Sequence, residues 1–345
     1  MTTILSLMLA TISAIATLLG ATAPVSAQQL TTIRVSYQPN NYWALPFYVA
    51  TEKNLWAAEG LKPEFSTFPS GAPQVTAGAT DAWDVGGTGS APALAGGARY
   101  GLLTIGITND ESATNAVMIR GDARKTWLKD PAKDIKGKTA LVTTTSTGEY
   151  VLLSYLKSIG LTKDDVKIVP MDQSLIVSSF AGTTGDLFVL WAPNIYTVMA
   201  RGAEMLANGK TAGVTVPGAL VATPKFAKEK PELVARFLRV YFKAIEWQQA
   251  NHAEAVDMLA KFNQQGGVVL DKKWFEEEFK TRPVWTIPGQ LEVMARKDGK
   301  PSTVDNWFSA VGDYFISAGT LKEKPDPKKF ITDEYMRMAA AGIKK

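Results

Sequence analysis

The sequence contains no cysteine and a single histidine, His252. Without cysteine the chain can form no disulfide, no thiolate metal site and no cysteine-linked lipid anchor. A single histidine excludes multi-histidine zinc sites and histidine-centred catalytic triads. His252 lies in the polar stretch EWQQANHAEAVDML, so we predict a solvated helix position for it. We therefore expect no catalytic residue, no metal site and no cofactor.

The chain also lacks an excess of charge of either sign. It has 37 basic and 33 acidic residues, a formal net charge of +4. Such a balance does not indicate a nucleic-acid groove or an anionic membrane surface as partner. The 345 residues are 46% hydrophobic, which is enough to build a large core divided between two lobes.

Long apolar runs are missing everywhere except at the beginning. The first charged residue is Arg34, and the apolar stretch over residues 4–19 is followed by Val-Ser-Ala at 25–27, typical of a signal cleavage site. Threonine, serine and glycine interrupt this stretch, so it falls short of the roughly 20 apolar residues of a membrane anchor. We predict a secretory signal over residues 1–27. The mature chain is then expected to be a soluble periplasmic protein, neither a lipoprotein nor stably inserted in a membrane.

What is present is an alternation of short apolar runs with helical patterns. TIRVSYQ (32–38), KPEFSTF (62–68) and GDLFVLW (185–191) are typical of buried strands. The stretch YTVMARGAEML (196–206) is predicted to be helical, and the chain after residue 229 is predicted to form mostly amphipathic helices. This alternation predicts the α/β class with largely parallel sheets.

The chain contains two similar α/β halves, the second inserted into the first. We assign residues 28–113 plus 219–345 to lobe I and residues 114–218 to lobe II. Two such lobes predict a cleft between them, where a ligand is expected to bind.

Three predicted loops each follow a strand and open a helix: GGTGS (86–90), TTTSTGE (143–149) and WAPN (191–194). In open parallel sheets, ligands bind beyond the carboxyl ends of the strands, so we expect these loops to face each other across the cleft. They contain no arginine or lysine, so a strongly charged ligand finds no bidentate clamp there.

The GGTGS loop matches neither the Walker A pattern nor the dinucleotide fingerprint. Its glycines are explained equally well by a tight strand-to-helix turn. Alternatively, they let a ligand oxyanion approach backbone N–H groups at the start of a helix near Ser90. Pro92 fits the first turn of that helix.

The TTTSTGE loop is rich in hydroxyls, each able to donate and accept a hydrogen bond. Ser146 and Glu149 have the spacing of a capping box, with Ser146 as N-cap and Glu149 reaching back. The functional alternative is that Glu149 faces the cleft and receives an ammonium, amide or hydroxyl of a ligand.

Aromatic residues divide into two groups. Those in or beside the cleft loops could wall a small-molecule pocket: Tyr37, Tyr42, Trp43 and Trp191. Those at helical or strand spacing are predicted to pack in the core: Trp56, Trp83, Trp247 and Trp274.

Taken in order, five stretches resemble the periplasmic receptors of ABC importers for taurine, aliphatic sulfonates and nitrate, which are related to thiamine-precursor-binding proteins. The stretches are IRVSYQPN, FPSGAPQV, DVGGTGSAPAL, TTTSTGEYVLLSYLKSIGL and GDLFVLWAPN. WAP in place of WDP makes the taurine receptors the most similar. The resemblance implies a type II periplasmic-binding-protein fold, in which two α/β lobes joined by two crossing strands close around one small ligand. It also implies a monomer with an ABC permease and its ATPase subunits as partners.

The resemblance further implies which residues contact the ligand. Carried over by position they are Gln38, Asn41, Thr88, Gly89, Ser146, Thr147, Gly148 and Trp191. The loop analysis adds Tyr42 and Glu149. Hydroxyls and helix N-termini are expected to hold an anionic or polar head group.

Together these observations predict an exported receptor that captures a small organic solute, an aliphatic sulfonate such as taurine, and delivers it to an ABC permease. A carboxylate at Glu149 disfavours bare nitrate and suits an amine-bearing ligand. The open alternatives are nitrate, a thiamine-precursor pyrimidine, another small heterocycle, an aromatic acid, or a sensing role. An enzyme of pyrimidine-precursor synthesis with this fold is disfavoured, because those enzymes carry a cysteine-rich motif and histidines.

Overall fold

The computed structural model of the chain describes residues 29–343. The predicted signal segment, residues 1–27, lies outside the described residues. Across 29–343 the helices are all too short or too polar to cross a membrane.

The strands of this range form two five-stranded sheets. In chain order they are β1 (Thr31–Tyr37), β2 (Leu61–Thr67), β3 (Val85–Gly89), β4 (Leu103–Asp110), β5 (Asn115–Arg120), β6 (Thr139–Val142), β7 (Lys167–Pro170), β8 (Leu187–Trp191), β9 (Ala203–Asn208) and β10 (Pro217–Ala222).

Helices cover both faces of each sheet. In chain order they are α1 (Leu45–Glu52), α2 (Leu55–Ala58), α3 (Gly71–Gly78), α4 (Ser90–Tyr100), α5 (Ala123–Thr126), α6 (Pro131–Asp134), α7 (Thr147–Ser158), α8 (Gln173–Phe180), α9 (Asn194–Met199), α10 (Pro224–Glu229), α11 (Pro231–Ala250), α12 (His252–Gln265), α13 (Lys272–Thr281), α14 (Ile287–Met294), α15 (Thr303–Ser317) and α16 (Glu334–Ala341).

The two sheets have the same topology. The first has the order β2-β1-β3-β10-β4 and the second β7-β6-β8-β5-β9. In the first, β1 runs parallel to β2 and β3, and β10 is antiparallel to both of its neighbours. In the second, β6 runs parallel to β7 and β8, and β5 is antiparallel to both of its neighbours. The predicted α/β architecture with largely parallel sheets is therefore confirmed, with one antiparallel strand in each sheet.

Two short segments carry the chain between the sheets, residues 111–114 after β4 and residues 209–216 before β10. They bond to each other: the Glu111 N–H donates to the Val216 carbonyl at 2.8 Å, and the Val216 N–H donates to Ser112 Oγ at 2.9 Å. The lobes are thus joined by a hydrogen-bonded pair of crossing segments. The lobe boundaries at residues 113 and 218 stay a prediction.

Each lobe has its own apolar core. In addition to the two crossing segments, a packing contact between helices joins the lobes behind the cleft. In lobe I, α1, α2 and α11 pack one face with residues such as Phe47, Trp56 and Phe237. The other face, covered by α4 and α15, shares its core with Tyr150 and Val151 of α7. Helix α7 of the second lobe is therefore packed against helix α15 of the first.

The structure corrects two predicted helices. In the stretch 196–206, α9 ends at Met199 and β9 begins at Ala203, because Gly202 adopts a positive φ of 88° and the following residues pair with β5. The sequence from Leu45 to Gly60 also predicts one helix, but the chain there is divided into α1 and α2 at Asn54, which has a φ of 55°. In both places one left-handed residue overrides the helical pattern around it.

Candidate functional site

The three motifs predicted to form the cleft do converge between the lobes. They enclose a cavity of about 20 Å³ at the inner end of the cleft. It is lined by Gln38, Asn41, Trp43, Gly71, Gly89, Pro92, Glu111, Ser146, Thr147 and Trp191. Six of the ten predicted contact residues are in this lining: Gln38, Asn41, Gly89, Ser146, Thr147 and Trp191.

The cleft widens outward into a larger cavity of about 590 Å³. The two cavities share Gln38, Asn41 and Trp191 in their linings, so they form one continuous cleft. The outer cavity also carries charged side chains of both signs, Asp172 and Arg201. The cleft thus has a narrow inner end and a wide, polar mouth.

The GGTG motif is the end of strand β3 rather than a loop, and all five residues of that strand are buried. A Cβ on Gly87 would lie 2.6 Å from the indole ring of Trp43, which explains a glycine inside a strand. Gly89 has an ordinary φ of −78°, so the backbone conformation does not require a glycine at this position. A Cβ there would lie 2.7 Å from Thr147 Cγ2. Gly89 is therefore a point at which the two lobes come into contact inside the cleft.

Helix α4 begins at this contact without any side-chain cap. Its N-cap is Gly89, and no acidic residue lies in its first turn. The Ser90 hydroxyl is fully buried and has no hydrogen-bond partner among residues 29–343. The first N–H groups of a helix have no intrahelical acceptor. Because Pro92 has no N–H, the free donors of this helix start are those of Ser90 and Ala91, between the cavity-lining residues Gly89 and Pro92.

Helix α7 begins on the opposite wall and is capped by its own side chains. Ser146 Oγ accepts from the Glu149 N–H at 3.2 Å and donates to the Thr143 carbonyl at 2.6 Å. Glu149 Oε2 accepts from the Thr145 N–H and from the Tyr314 hydroxyl, both at 2.7 Å. Glu149 thus reaches one residue beyond the N-cap. It joins α7 to α15 behind the cleft and does not line the cavity.

The hydroxyl groups of this wall are less available than the sequence indicates. Thr147 Oγ1 donates to Asn115 Oδ1 at 2.7 Å, and the Ser146 proton is used by Thr143. Both hydroxyls can therefore offer a ligand only oxygen lone pairs, so donors from the start of α7 must be backbone N–H groups. Gly148 does not line the cavity, and a Cβ there would lie 3.1 Å from Val189 Cγ1.

Two buried glutamines, absent from the sequence prediction, hold the cleft motifs in place. In lobe I, Gln74 Nε2 donates to Ser36 Oγ and to the Gly87 carbonyl, and Gln74 Oε1 accepts from Gln38 Nε2. Gln38 Nε2 also contacts Thr88 Oγ1 at 3.3 Å, so the fully buried Thr88 supports Gln38 instead of lining the cavity.

In lobe II the equivalent residue is Gln173. Its Nε2 donates to the Val189 carbonyl at 3.1 Å, and its Oε1 accepts from the Trp191 N–H at 3.2 Å. Gln74 and Gln173 lie near the starts of α3 and α8, the helices that follow the outermost strands β2 and β7. A glutamine near the start of the helix that follows the outermost strand, repeated in both halves, is the sequence signal that could have identified them.

Tyr42 is not brought to the cleft. Residues 42–44 form a single 3-10 turn, which directs neighbouring side chains to different sides. Trp43 lines the cleft cavity, whereas Tyr42 lines a separate cavity of lobe I, with its ring centroid 5.1 Å from that of Phe279. Tyr37 also points elsewhere and packs against Phe47 and Phe65.

A buried charged cluster, also missed, lies against the inner end of the cleft. Glu111 lines the cavity and accepts from Arg282 Nη1 at 3.0 Å. Arg282 Nε lies 2.6 Å from Glu278 Oε2, and all three side chains are buried. Burial raises the pKa of Glu111 above its usual value and that of Glu278 to about 7, against the opposing charge of Arg282. Glu111 and Arg282 are 171 residues apart, so no local pattern reveals them.

Comparisons with known proteins agree with this geometry. The sequence model described as NMT1/THI5 like matches residues 41–255. A putative binding protein of Brucella abortus is 29% identical over 308 residues, covering 88% of this chain and 91% of its own. A putative aliphatic sulfonates-binding protein of Bacillus subtilis is 28% identical over 319 residues, covering 90% and 89%. The taurine-binding periplasmic protein of Escherichia coli is 28% identical over 238 residues, covering 68% and 71%.

Among solved structures, the alkanesulfonate-binding protein SsuA of Xanthomonas axonopodis pv. citri bound to MOPS superposes with a TM-score of 0.72. It is 20% identical, over 87% of this chain and 98% of that one. At this identity the likeness carries the fold alone. The two-lobed architecture expected from the sequence resemblance is thereby confirmed.

Proposed function

The chain belongs to the NMT1/THI5-like family, and from this premise we propose that it is the periplasmic solute-binding receptor of an ABC importer for an organic sulfonate. Relatives named as binding proteins align over most of its length. The family resemblance, the cleft between the two lobes and the composition of its walls all support a binding role rather than catalysis. The solute enters between the lobes and is held where β3, α7 and β8 meet.

The observation that carries the sulfonate assignment is the uncapped start of α4. A sulfonate is a compact anion with three acceptor oxygens, and backbone N–H groups at a helix start bind such an anion without a side-chain cation. The lining of the inner cavity contains no arginine or lysine. The inner end, about 20 Å³, fits at most part of a head group, and the remainder of the solute extends into the mouth of about 590 Å³.

Glu111 supports an amine on the same solute. It is the carboxylate in the lining of the inner cavity, the role that the sequence analysis left open for Glu149 as the alternative to capping. Since an ammonium group pairs with a carboxylate and a bare anion is repelled by it, Glu111 favours taurine over nitrate. Taurine carries both groups, a sulfonate for the α4 start and an ammonium for Glu111.

The receptor closes around its solute by rotation at the crossing segments 111–114 and 209–216. Closure excludes water from the α4 start and strengthens the hydrogen bonds made there. The permease and its ATPase subunits are the partners of this receptor, and the closed, monomeric form is the one that they recognise.

Isothermal titration calorimetry of the mature chain tests the assignment. Taurine is expected to bind at least about tenfold more tightly than ethanesulfonate, which lacks the amine, because a charge-assisted hydrogen bond contributes about 1.5–3 kcal/mol. Nitrate is expected not to bind. Binding of nitrate or of a hydroxymethylpyrimidine without binding of any sulfonate would overturn the assignment. The solute would then be nitrate or a thiamine-precursor pyrimidine, respectively.

The matched variants are Glu111→Gln and Glu204→Gln, the second an exposed carboxylate of lobe II. Glu111→Gln is expected to remove most of the difference between taurine and ethanesulfonate, and Glu204→Gln is expected to leave it intact. An unchanged preference in Glu111→Gln would contradict the role of Glu111 but not the sulfonate assignment.

A further inference from the structure

Lobe I contains a second cavity that is separate from the cleft. Its volume is about 470 Å³, and its lining comes from the 3-10 turn at Tyr42, the junction of α11 and α12, and the chain around the end of α13. It shares no lining residue with either part of the cleft. A solute bound in the cleft therefore does not occupy it.

Two side chains that line this cavity have buried polar atoms without partners. Gln248, only 2% exposed, has no hydrogen-bond partner for Nε2 or for Oε1 within residues 29–343. Arg282 Nη2 is likewise unpaired in this range. Buried polar groups are nearly always hydrogen-bonded in native proteins, so an amide with both atoms unpaired indicates a binding group.

The unpaired atoms specify the chemistry of their partner. The Gln248 amide offers an NH2 donor group and an acceptor oxygen in a single plane, and Arg282 Nη2 offers a further donor. A carboxamide or ureido group is the complement, because its oxygen accepts while its N–H donates to Gln248 Oε1.

A carboxylate is a poor match for the same site. It has no donor for Gln248 Oε1. It would also approach a cluster in which two carboxylates, Glu111 and Glu278, flank the single guanidinium of Arg282. Although Lys280 and His252 border the cavity, Lys280 is exposed and His252 is paired with Glu276 at 2.9 Å. The site therefore discriminates against anions.

Aromatic rings supply the rest of the wall. Tyr42 and Phe279 are arranged edge to face at 5.1 Å, and the His252 ring lies 5.1 Å from Phe279 on another side. Such flat surfaces favour a planar ligand. We propose that this cavity of lobe I binds a small, neutral, planar molecule that carries a carboxamide or ureido group.

Benzamide and benzoate test this proposal, since they have the same shape and differ in amide against carboxylate. Saturation-transfer NMR titrations with the mature protein are expected to show saturable benzamide binding, at least about tenfold tighter than that of benzoate, because the carboxylate leaves Gln248 Oε1 unpaired. Gln248→Met keeps the side-chain volume and is expected to abolish benzamide binding. Gln264→Met, an exposed position of α12 outside both cavities, is the matched control and is expected to bind like the wild type.

A second variant keeps the test valid if Gln248→Met folds poorly. Phe279→Leu removes one aromatic wall and is expected to weaken benzamide binding severalfold while taurine binding in the cleft is unchanged. Equal binding of benzamide and benzoate, retention of benzamide by Gln248→Met, competition between benzamide and taurine, or no saturable binding of either probe would each overturn the proposal. Taurine titrations on the same samples measure binding in the cleft, so a failure of this proposal can be distinguished from a failure of the proposed function.

Discussion

The two helices that begin at the cleft, α4 in lobe I and α7 in lobe II, differ in what occupies their first turns. In α7, Ser146 caps the helix and Glu149 bonds both to Thr145 and to Tyr314 of α15. In α4, the N-cap is Gly89 and the Ser90 hydroxyl is unpaired within residues 29–343. At the start of α7 the cap therefore occupies the Glu149 N–H and leaves those of Thr147 and Gly148 for a ligand, whereas no side chain caps the start of α4.

The two walls of the inner cavity, one from each lobe, also differ in charge. The lobe I wall includes Glu111, with Arg282 and Glu278 behind it, whereas the lobe II residues that line the inner cavity are Ser146, Thr147 and Trp191, all uncharged. In the proposed receptor we therefore expect lobe I to discriminate between solutes and lobe II to close over them. Four experiments test this division, from the largest expected effect to the smallest.

The largest expected effect is on the pH dependence of stability. The folded protein holds the Glu278 proton more tightly than the unfolded chain, with a pKa of about 7 against 4.5. The free energy of unfolding should therefore fall as pH rises from 4.5 to about 7, by up to about 3 kcal/mol, and be level above. Glu278→Gln should flatten this part of the profile in urea titrations, and the exposed Glu254→Gln should not. If the slope were unchanged in Glu278→Gln, the pH dependence would not come from Glu278, and the described difference in charge between the two walls would be contradicted.

Gly89→Ala tests the contact between the walls. The added Cβ would lie 2.7 Å from Thr147 Cγ2, so the lobes cannot approach as closely. Overpacking of this kind costs about 1–3 kcal/mol, which predicts a loss of solute affinity of about thirtyfold by calorimetry. Gly182→Ala is the control, because its nearest neighbour is 3.6 Å away. Wild-type affinity in Gly89→Ala would show that the solute binds without this contact.

A pair of serine substitutions separates the two helix starts. Ser90→Ala should reduce solute affinity about tenfold through one lost hydrogen bond and leave stability nearly unchanged. Ser146→Ala should lower the free energy of unfolding by about 1 kcal/mol through loss of the N-cap, with little change in affinity. Calorimetry and thermal unfolding measure the two quantities on each variant. If the effects were exchanged, lobe II would be the recognising wall.

Glu149→Gln should have the smallest effect. The side chain keeps an acceptor for Thr145 and Tyr314, and only its charge near the α7 N-terminus is lost, worth about 0.3–1 kcal/mol of stability. Taurine affinity should stay within about twofold of the wild-type value. A large loss of affinity would return Glu149 to the role of a ligand contact.

Features that depend on short stretches of chain were predictable from the sequence. The strand-to-helix transitions at Ser90 and Ser146, the Ser146 cap and the convergence of the motifs follow from capping, turn chemistry and sheet topology. Capping patterns span four residues, so a single stretch contains all the necessary information.

Features that depend on tertiary contacts were not predictable. Strand β9 forms because residues 203–208 pair with β5, despite a local helical pattern. Glu111 and Arg282 meet only when the chain has folded. Tyr42 and Trp43 are neighbours in sequence and yet serve different cavities, because the direction of a side chain in a single 3-10 turn depends on packing.

The position of Glu111 has a consequence for kinetics. Its N–H bonds to Val216 in the other crossing segment, while its carboxylate lines the inner cavity. A rotation that separates the lobes changes the backbone conformation of residues 111–114 and therefore moves the Glu111 carboxylate. In the proposed receptor, opening would also withdraw Glu111 from the solute, so we expect the stiffness of residues 111–114 to govern the residence time of the solute.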